Sequence, residues 1–390
     1  MLAHSVYCGI KFLLVGVVCA FMTQPAGAMN PGNDAPTLTE RHFREPEQKT
    51  SQTVFGAPVY RKTFVSPLYK IDGIYRSMKG PTAHDLIALA DSAQKGNQLL
   101  WITSQYTEIV SGNPATATSP EFMCHSNIGM VRSKRHEKIF KSLPGVRLFT
   151  LSQGQMDVRF PEGFGIPVMS QQPMELQTQV LNLNEQPEDL EVRHRVTVEY
   201  VRQADLKTPM KPLRVLSAQG MVATDASALH YGLSEANPEE HGPGCSVGQA
   251  AGKRRILDSE GNNFVAHWVV KPGRDENRTL VTNWMKVPFD TTVHFIAVHL
   301  HPFAESATLT DLTLETDVFH SRARGPENQI GLTNVESFVS ETGVPIFQGH
   351  EYELKSIYEN TTGENQDSMA VMFLYVLDKE FRLPPVLAVK

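Results

Sequence analysis

The chain has 390 residues, 41% of them apolar and 20% charged, with a formal net charge of -6. That composition supports a sizeable core, and the length suggests two domains rather than one. The mildly acidic balance provides no basic footprint and argues against nucleic acid as a partner.

In chain order, the first feature is a targeting segment. Lys11 precedes an apolar run from Phe12 to Met22, followed by Pro25 and the small-residue triplet Ala26-Gly27-Ala28. This is the charged, apolar and small-residue order of a secretory signal peptide. The run is shorter than the roughly 20 residues a membrane-spanning helix needs. Residues 1–28 are therefore expected to be cleaved after Ala28, leaving a periplasmic or secreted chain with no membrane span. Cleavage removes Cys8 and Cys19 and leaves Cys124 and Cys245. In an exported protein such a pair commonly closes one disulfide, the alternative being a thiolate metal ligand at Cys124.

Residues 29–54 are polar, contain proline and show no period, as in a flexible leader. "HDLIALADSAQKG" (84–96) has helical spacing, with Leu86, Ile87, Leu89 and Ala90 on one side and Gly96 as a stop. It predicts one short helix. The rest reads as strands: "QLLWITSQYTEIV", "GVRLFTLSQ", "MELQTQVLNL", "HRVTVEYV", "FVAHWVV", "TTVHFIAVHLH", "YELKSIYEN" and "MAVMFLYVL". These runs are rich in β-branched and aromatic residues and are punctuated by Gly, Pro and Asn. The expected fold is all-β, with two antiparallel β-sandwich, jelly-roll-like domains over 55–255 and 256–390. The junction is placed in the Gly-, Pro- and charge-rich "SEANPEEHGPGCSVGQAAGKRR" (234–255).

"AVHLHPFAES" (297–306) places two histidines one residue apart in an apolar strand. Strand alternation turns His299 and His301 to one face, with Ala297, Phe295 and Val293, and His294 to the other. Same-face imidazoles on one strand sit about 6–7 Å apart at Cβ, a spacing that suits one metal ion. Satisfied histidines are the plainer explanation. Met369 stands at the entrance of the last strand, where Val371, Phe373 and Tyr375 share its face. Methionine is normally core packing, but a thioether beside two imidazoles is a soft set that suits copper, particularly Cu(I).

Four segments carry a further signal in order: "HWVVKPGRDENRTLV", "VHFIAVHLHPF", "SIYENTTG" and "DSMAVMFLYV". Over about 264–377 they resemble the C-terminal domain of the copper type II, ascorbate-dependent monooxygenases. In that family a strand ends in a Pro-Gly turn. An H-x-H strand, a Y-x-N strand and an acidic loop leading into a copper-binding Met then follow. The resemblance implies that His299, His301 and Met369 bind a copper ion that handles dioxygen and hydroxylates a substrate carbon. Pro302 and Phe303 replace the residues that usually follow the H-x-H, so the substrate side of the site differs.

The family's first domain supplies a second copper, held by an adjacent His-His pair and a later His. Here "SPEFMCHSNIGM" (119–130) has Cys124-His125 in place of the pair, and "GFGIPVMSQQPMELQTQVLNLN" (163–184) has no histidine near Leu181. A soft Cu(I) site at Cys124 and His125, with Met123 or Met169, is one outcome. Loss of that copper with a Cys124–Cys245 disulfide is the other. His241, four residues before Cys245, is a further neighbour; His267 and His350 match no ligand position.

Two functions follow. One is an exported copper-dependent monooxygenase that draws electrons from ascorbate or another reductant and acts on a small substrate with dioxygen. The other is a non-catalytic copper-binding protein for storage, delivery or sensing. No G-x-S-x-G elbow, Walker loop or dinucleotide glycine pattern competes with them.

Overall fold

Strand runs in this chain are apolar on both faces near the C-terminus, and the architecture explains why. The computed structural model describes residues 42–75, 80–90, 96–112, 117–131, 147–184, 190–223, 256–257 and 261–383. The described residues fall within one unit, Ala35–Lys390, and are mostly β. A large sheet runs in the order Phe43–Arg44, Ala57–Val65, Leu190–Arg202, Leu99–Ser111, Phe164–Met169, Lys211–Gln219, Ala370–Leu377, Thr291–Leu300 and Phe338–Ile346. Among the described pairings only Phe164–Met169 with Lys211–Gln219 is parallel. This contact splices an N-terminal group of strands to a C-terminal one.

Two cores flank this sheet. The first lies between its N-terminal strands and a four-stranded sheet made of Thr82–Ile87, Met174–Val180, Met123–Met130 and Arg147–Ser152. The second lies between its C-terminal strands and a five-stranded sheet that includes Gly273–Leu280, Tyr352–Asn360 and Ala304–Asp311. Thr291–Leu300 and Ala370–Leu377 contribute to both. Phe295, Ala297, Val371, Phe373 and Tyr375 enter the first core, and Ile296, Val298, Leu300, Met372, Leu374 and Val376 the second. Burial on both faces produces a near-continuous apolar run instead of alternation. An aromatic cluster seals the shared face. Tyr375 packs at a tilt against Phe160, with 4.8 Å between ring centroids, and donates its hydroxyl to the Leu148 carbonyl at 2.9 Å.

The all-β expectation holds. The helix over 84–95 does not: Thr82–Ile87 is a strand paired antiparallel with Met174–Val180. Its inward residues are Ala83 and Ile87, while Leu86, read as part of an apolar helix face, is 60% exposed. Cross-strand pairing here overrides local propensity; residues 91–95 lie outside the described residues. The α-helix among the described residues is instead the single turn Thr282–Met285.

Residues 42–54, part of the polar leader, form strands Phe43–Arg44 and Gln48–Val54 on the edge of the large sheet. Their side chains are mostly exposed, which is why the composition reads as leader. The signal peptide, residues 29–41 and the junction near 255 lie outside the described residues. The strand pairing nevertheless changes hands before the junction, since Lys211–Gln219 already pairs with Ala370–Leu377.

Candidate metal centre

Three histidines and a carboxylate gather where the Thr291–Leu300 strand ends. A one-residue bulge between Val293 and Phe295 resets its alternation. Val293 therefore faces the second core, whereas Phe295, Ala297, His299 and His301 follow one another toward the first. The expectation that Val293 shares the histidine face is corrected by this bulge. His294, in the bulge, has both ring nitrogens occupied, one against Thr292 Oγ1 at 2.8 Å and one against the Ser340 carbonyl at 3.0 Å.

The register sets Met369 beside this pair. His299 pairs with Val371 and Leu300 with Ala370, so continuing by one places His301 across from Met369. Directly opposed residues of antiparallel strands have Cβ atoms about 5 Å apart. Tyr358 clamps the two backbones: its hydroxyl donates to the Met369 carbonyl at 2.6 Å and accepts from the His301 N–H at 3.4 Å. Burial pushes the Tyr358 phenol far above its usual range, against the two backbone contacts, which act to lower it. Asn360, two residues on, holds the following loop by donating Nδ2 to the carbonyls of Val270 and Glu364. The Y-x-N stretch thus shapes the site without entering it.

His267 enters from the other side. It precedes Trp268–Val270, which pairs with Gln366–Ser368 through Trp268↔Ser368 and Val269↔Asp367. One step further along that register, His267 also faces Met369. Asp367 Oδ2 lies 3.1 Å from His301 Nδ1 and 3.4 Å from His267 Nδ1. The Asp367 backbone carbonyl lies 3.3 Å from the same His301 nitrogen. Burial alone would raise the Asp367 carboxyl, but the two imidazoles outweigh it and hold its pKa well below the carboxylate range. One ligand atom each from His267, His301 and Asp367 lies within 4.8 Å of the others.

Two imidazoles on one tetrahedral ion keep their ring centroids about 5 Å apart, given bonds of about 2 Å. The His299 and His301 centroids are 5.3 Å apart. His299 is 8% exposed, and burial, then His301 and His125, lower its pKa well below the usual imidazole value. It is thus a neutral ring with a lone pair to offer, and its Nδ1 is buried without a hydrogen bond among the described residues. A buried orphan nitrogen is costly unless something takes it.

His299 and His301 wall a cavity of about 50 Å³ with Met123, Cys124, Ser152, Gln153, Leu181 and Ile330 among the other lining residues. Ile330 is fixed there because Asn184 donates to its carbonyl at 3.0 Å and accepts its N–H at 2.9 Å. After His301 the chain turns sharply at Pro302-Phe303, with Phe303 at φ +72°, a position usually given to glycine.

Of the sequence-level candidates, His299, His301 and Met369 share one face and one strand pair. Cys124 and His125 are separated by a bulge, for His125 pairs with Gln179 and Met123 with Val180, leaving Cys124 as the extra residue. Cys124 lines the cavity and His125 does not. Burial takes His125 down to about 3. Met169 belongs to a separate cluster with Trp101 and Met210, away from Cys124's cavity. His350 pairs with Asp311 at 2.8 Å. Cys245 and His241 lie outside the described residues, so the Cys124–Cys245 pairing stays an expectation. Residue-type reasoning missed His267 and Asp367. The signal for Asp367 was its place two residues before Met369; His267 becomes visible only through the Trp268↔Ser368 register.

No protein-family profile matches the chain, and no curated protein matches it. Among solved structures, similarity extends to a peptide-N(4)-(N-acetyl-beta-D-glucosaminyl) asparagine amidase, with 9% identity, 83% of this chain and 98% of that one covered, and TM-score 0.32. The major capsid protein P2 of bacteriophage PM2 gives 9% identity, coverage of 82% and 100%, and TM-score 0.28. At these scores neither likeness bears on function.

Proposed function

We propose that this chain is a copper-binding protein whose ion would be held by His299, His301 and Met369. The observation that supports the reading is the pair of imidazoles 5.3 Å apart on one strand face, together with a register that, continued by one residue, puts Met369 across from His301. The donor set fits the group: two imidazole nitrogens and one soft sulfur suit Cu(I) over harder divalent ions. The orphaned Nδ1 of His299 marks a group without a partner where one is expected. Bound there, copper supplies one-electron chemistry toward dioxygen, with ascorbate or another reductant as electron source. The protein's own contribution is positional. Tyr358 fixes the separation of the two ligand strands, and Ile330, Leu181 and Phe303 give the cavity an apolar part of its wall.

The cavity size favours binding without turnover as a second reading. About 50 Å³ accommodates an ion and a few water-sized molecules, each needing about 10–15 Å³. An organic substrate would extend beyond that space toward the open side of the site. One experiment tests both: purify the chain, measure copper stoichiometry, and follow oxygen uptake with ascorbate. One copper with no uptake supports storage, delivery or sensing; one copper with sustained uptake supports an oxidoreductase. Absence of tight copper binding overturns both.

A further inference from the structure

We infer that Asp367 is a positioning residue that fixes the tautomer of His301 and thereby selects Nε2 as its metal-binding nitrogen. The inference rests on the copper-site reading above and deepens it. His301 Nδ1 faces two oxygens, Asp367 Oδ2 at 3.1 Å and the Asp367 backbone carbonyl at 3.3 Å. A backbone carbonyl only accepts hydrogen bonds, and an ionised carboxylate likewise only accepts. A nitrogen held against both must carry the proton, which leaves the lone pair on Nε2.

The same carboxylate oxygen lies 3.4 Å from His267 Nδ1, so one buried anion orders two rings. The local strands make this arrangement rigid. Gln366–Ser368 is paired with Trp268–Val270, and Ser368 Oγ donates to the Trp268 carbonyl at 3.2 Å. Asp367 and His267 therefore move as one ribbon, and the ribbon runs directly into Met369. A metal-bound imidazole whose second nitrogen donates to a carboxylate is oriented and made more basic. His267 in this scheme supports the carboxylate from the far side and is not itself a ligand. The competing arrangement makes Asp367, His267 and His301 the ligands of a harder ion, since their donor atoms also lie within 4.8 Å.

The test has one arm without metal and one with copper. In the metal-free full-length chain, ¹⁵N NMR of the histidine rings should report His301 as the Nδ1–H tautomer. Finding the Nε2–H tautomer overturns the inference whether or not copper binds. In the second arm, Cu(I) affinity is measured by chelator competition for wild type, Asp367→Asn, His267→Ala and His301→Ala, with thermal midpoints as folding controls. Asp367→Asn should weaken copper about 10–100-fold while keeping one ion per chain, the range typical of such outer partners. His267→Ala should weaken it less, and His301→Ala should abolish tight binding. Unchanged affinity in Asp367→Asn, or a loss as complete as in His301→Ala with its fold intact, refutes a positioning role. If Asp367→Asn does not fold, Asp367→Glu supplies the same comparison. If wild type binds no copper while His301 is the Nδ1–H tautomer, the copper reading fails and the tautomer assignment stands.

Discussion

His301 and Met369 are tied through a single hydroxyl: Tyr358 accepts the N–H of one at 3.4 Å and donates to the carbonyl of the other at 2.6 Å. Tyr358 is fully buried, so water cannot replace either bond. Tyr358→Phe should remove both and leave the Met369 carbonyl without this donor. The expected cost is about 1–3 kcal/mol, the range for a buried polar group stripped of its partner. A denaturant midpoint measures it. Copper affinity should fall in the same variant, because the two ligand strands lose their common anchor. An unchanged midpoint means the hydroxyl contributes nothing to the site's rigidity.

Acid should destabilise this protein before it affects ordinary surface carboxylates. Burial lowers His42 to about 4, and His125 and His194 to about 3. In the unfolded chain these rings titrate near 6.5. Between roughly pH 6.5 and 3–4 the unfolded state therefore binds more protons than the folded one, so stability falls as pH falls through that window. Each group contributes up to about 1.4 kcal/mol per pH unit there. Urea midpoints at pH 7, 6 and 5 should decline in order, and His194→Gln should reduce the slope by that one group's share, since burial also lowers His294 and His299. A midpoint insensitive to pH over this range shows that the rings protonate without unfolding.

The sequence carried the strand content well because burial on one or both faces leaves an apolar signature. "MAVMFLYVL" and "TTVHFIAVHLH" read as strands for the reason that they sit between two cores. "HDLIALADSAQKG" misled because a short strand with Leu86 on its exposed side imitates helical spacing. The bulge at His294 was invisible, since an inserted residue leaves no mark in composition and moves Val293 to the other face. Of the proposed site, the H-x-H spacing and the position of Met369 at the start of the last strand could be read from residue types and positions. His267 and Asp367 were not, because their meeting depends on Trp268–Val270 pairing with Gln366–Ser368 about a hundred residues away. Asn277 and Asn360 begin N-x-T triplets, a pattern too common to carry a glycosylation signal by itself. Both asparagines are buried, and their amides donate to the Met221 and Val270 carbonyls.

Cys124 lines the cavity with His299 and His301, so its chemistry bears on copper number. A Cys124–Cys245 disulfide, if it forms, predicts no free thiol at these two positions under oxidising conditions and one linked peptide pair in a non-reducing digest. Closing a loop of over a hundred residues should stabilise by about 4–5 kcal/mol on the chain-entropy account. Cys124→Ser should then lower the thermal midpoint but leave one copper per chain. A drop in copper stoichiometry instead identifies the thiolate as a ligand.

The proposed copper site makes the sharpest forecast, because a control sits on the same strand. His299→Ala removes one imidazole and His301→Ala the other, and each should reduce Cu(I) affinity by at least about 100-fold, roughly 2.7 kcal/mol. Met369→Ile keeps the apolar volume and removes the sulfur. It should weaken Cu(I) more than Cu(II), since a thioether favours the softer ion. His294→Ala should leave affinity unchanged, because both of its nitrogens are already engaged by Thr292 and Ser340. It should cost about 1 kcal/mol of stability through those bonds. Competition titrations with Cu(I) and thermal midpoints with and without the metal separate the two effects. At a free copper level of about 100 times Kd, bound ion adds about 2.7 kcal/mol to stability. That gain should persist in His294→Ala and vanish in His301→Ala. If His294→Ala loses it too, the strand face assigned to the ion is wrong, and with it the His299, His301 and Met369 site.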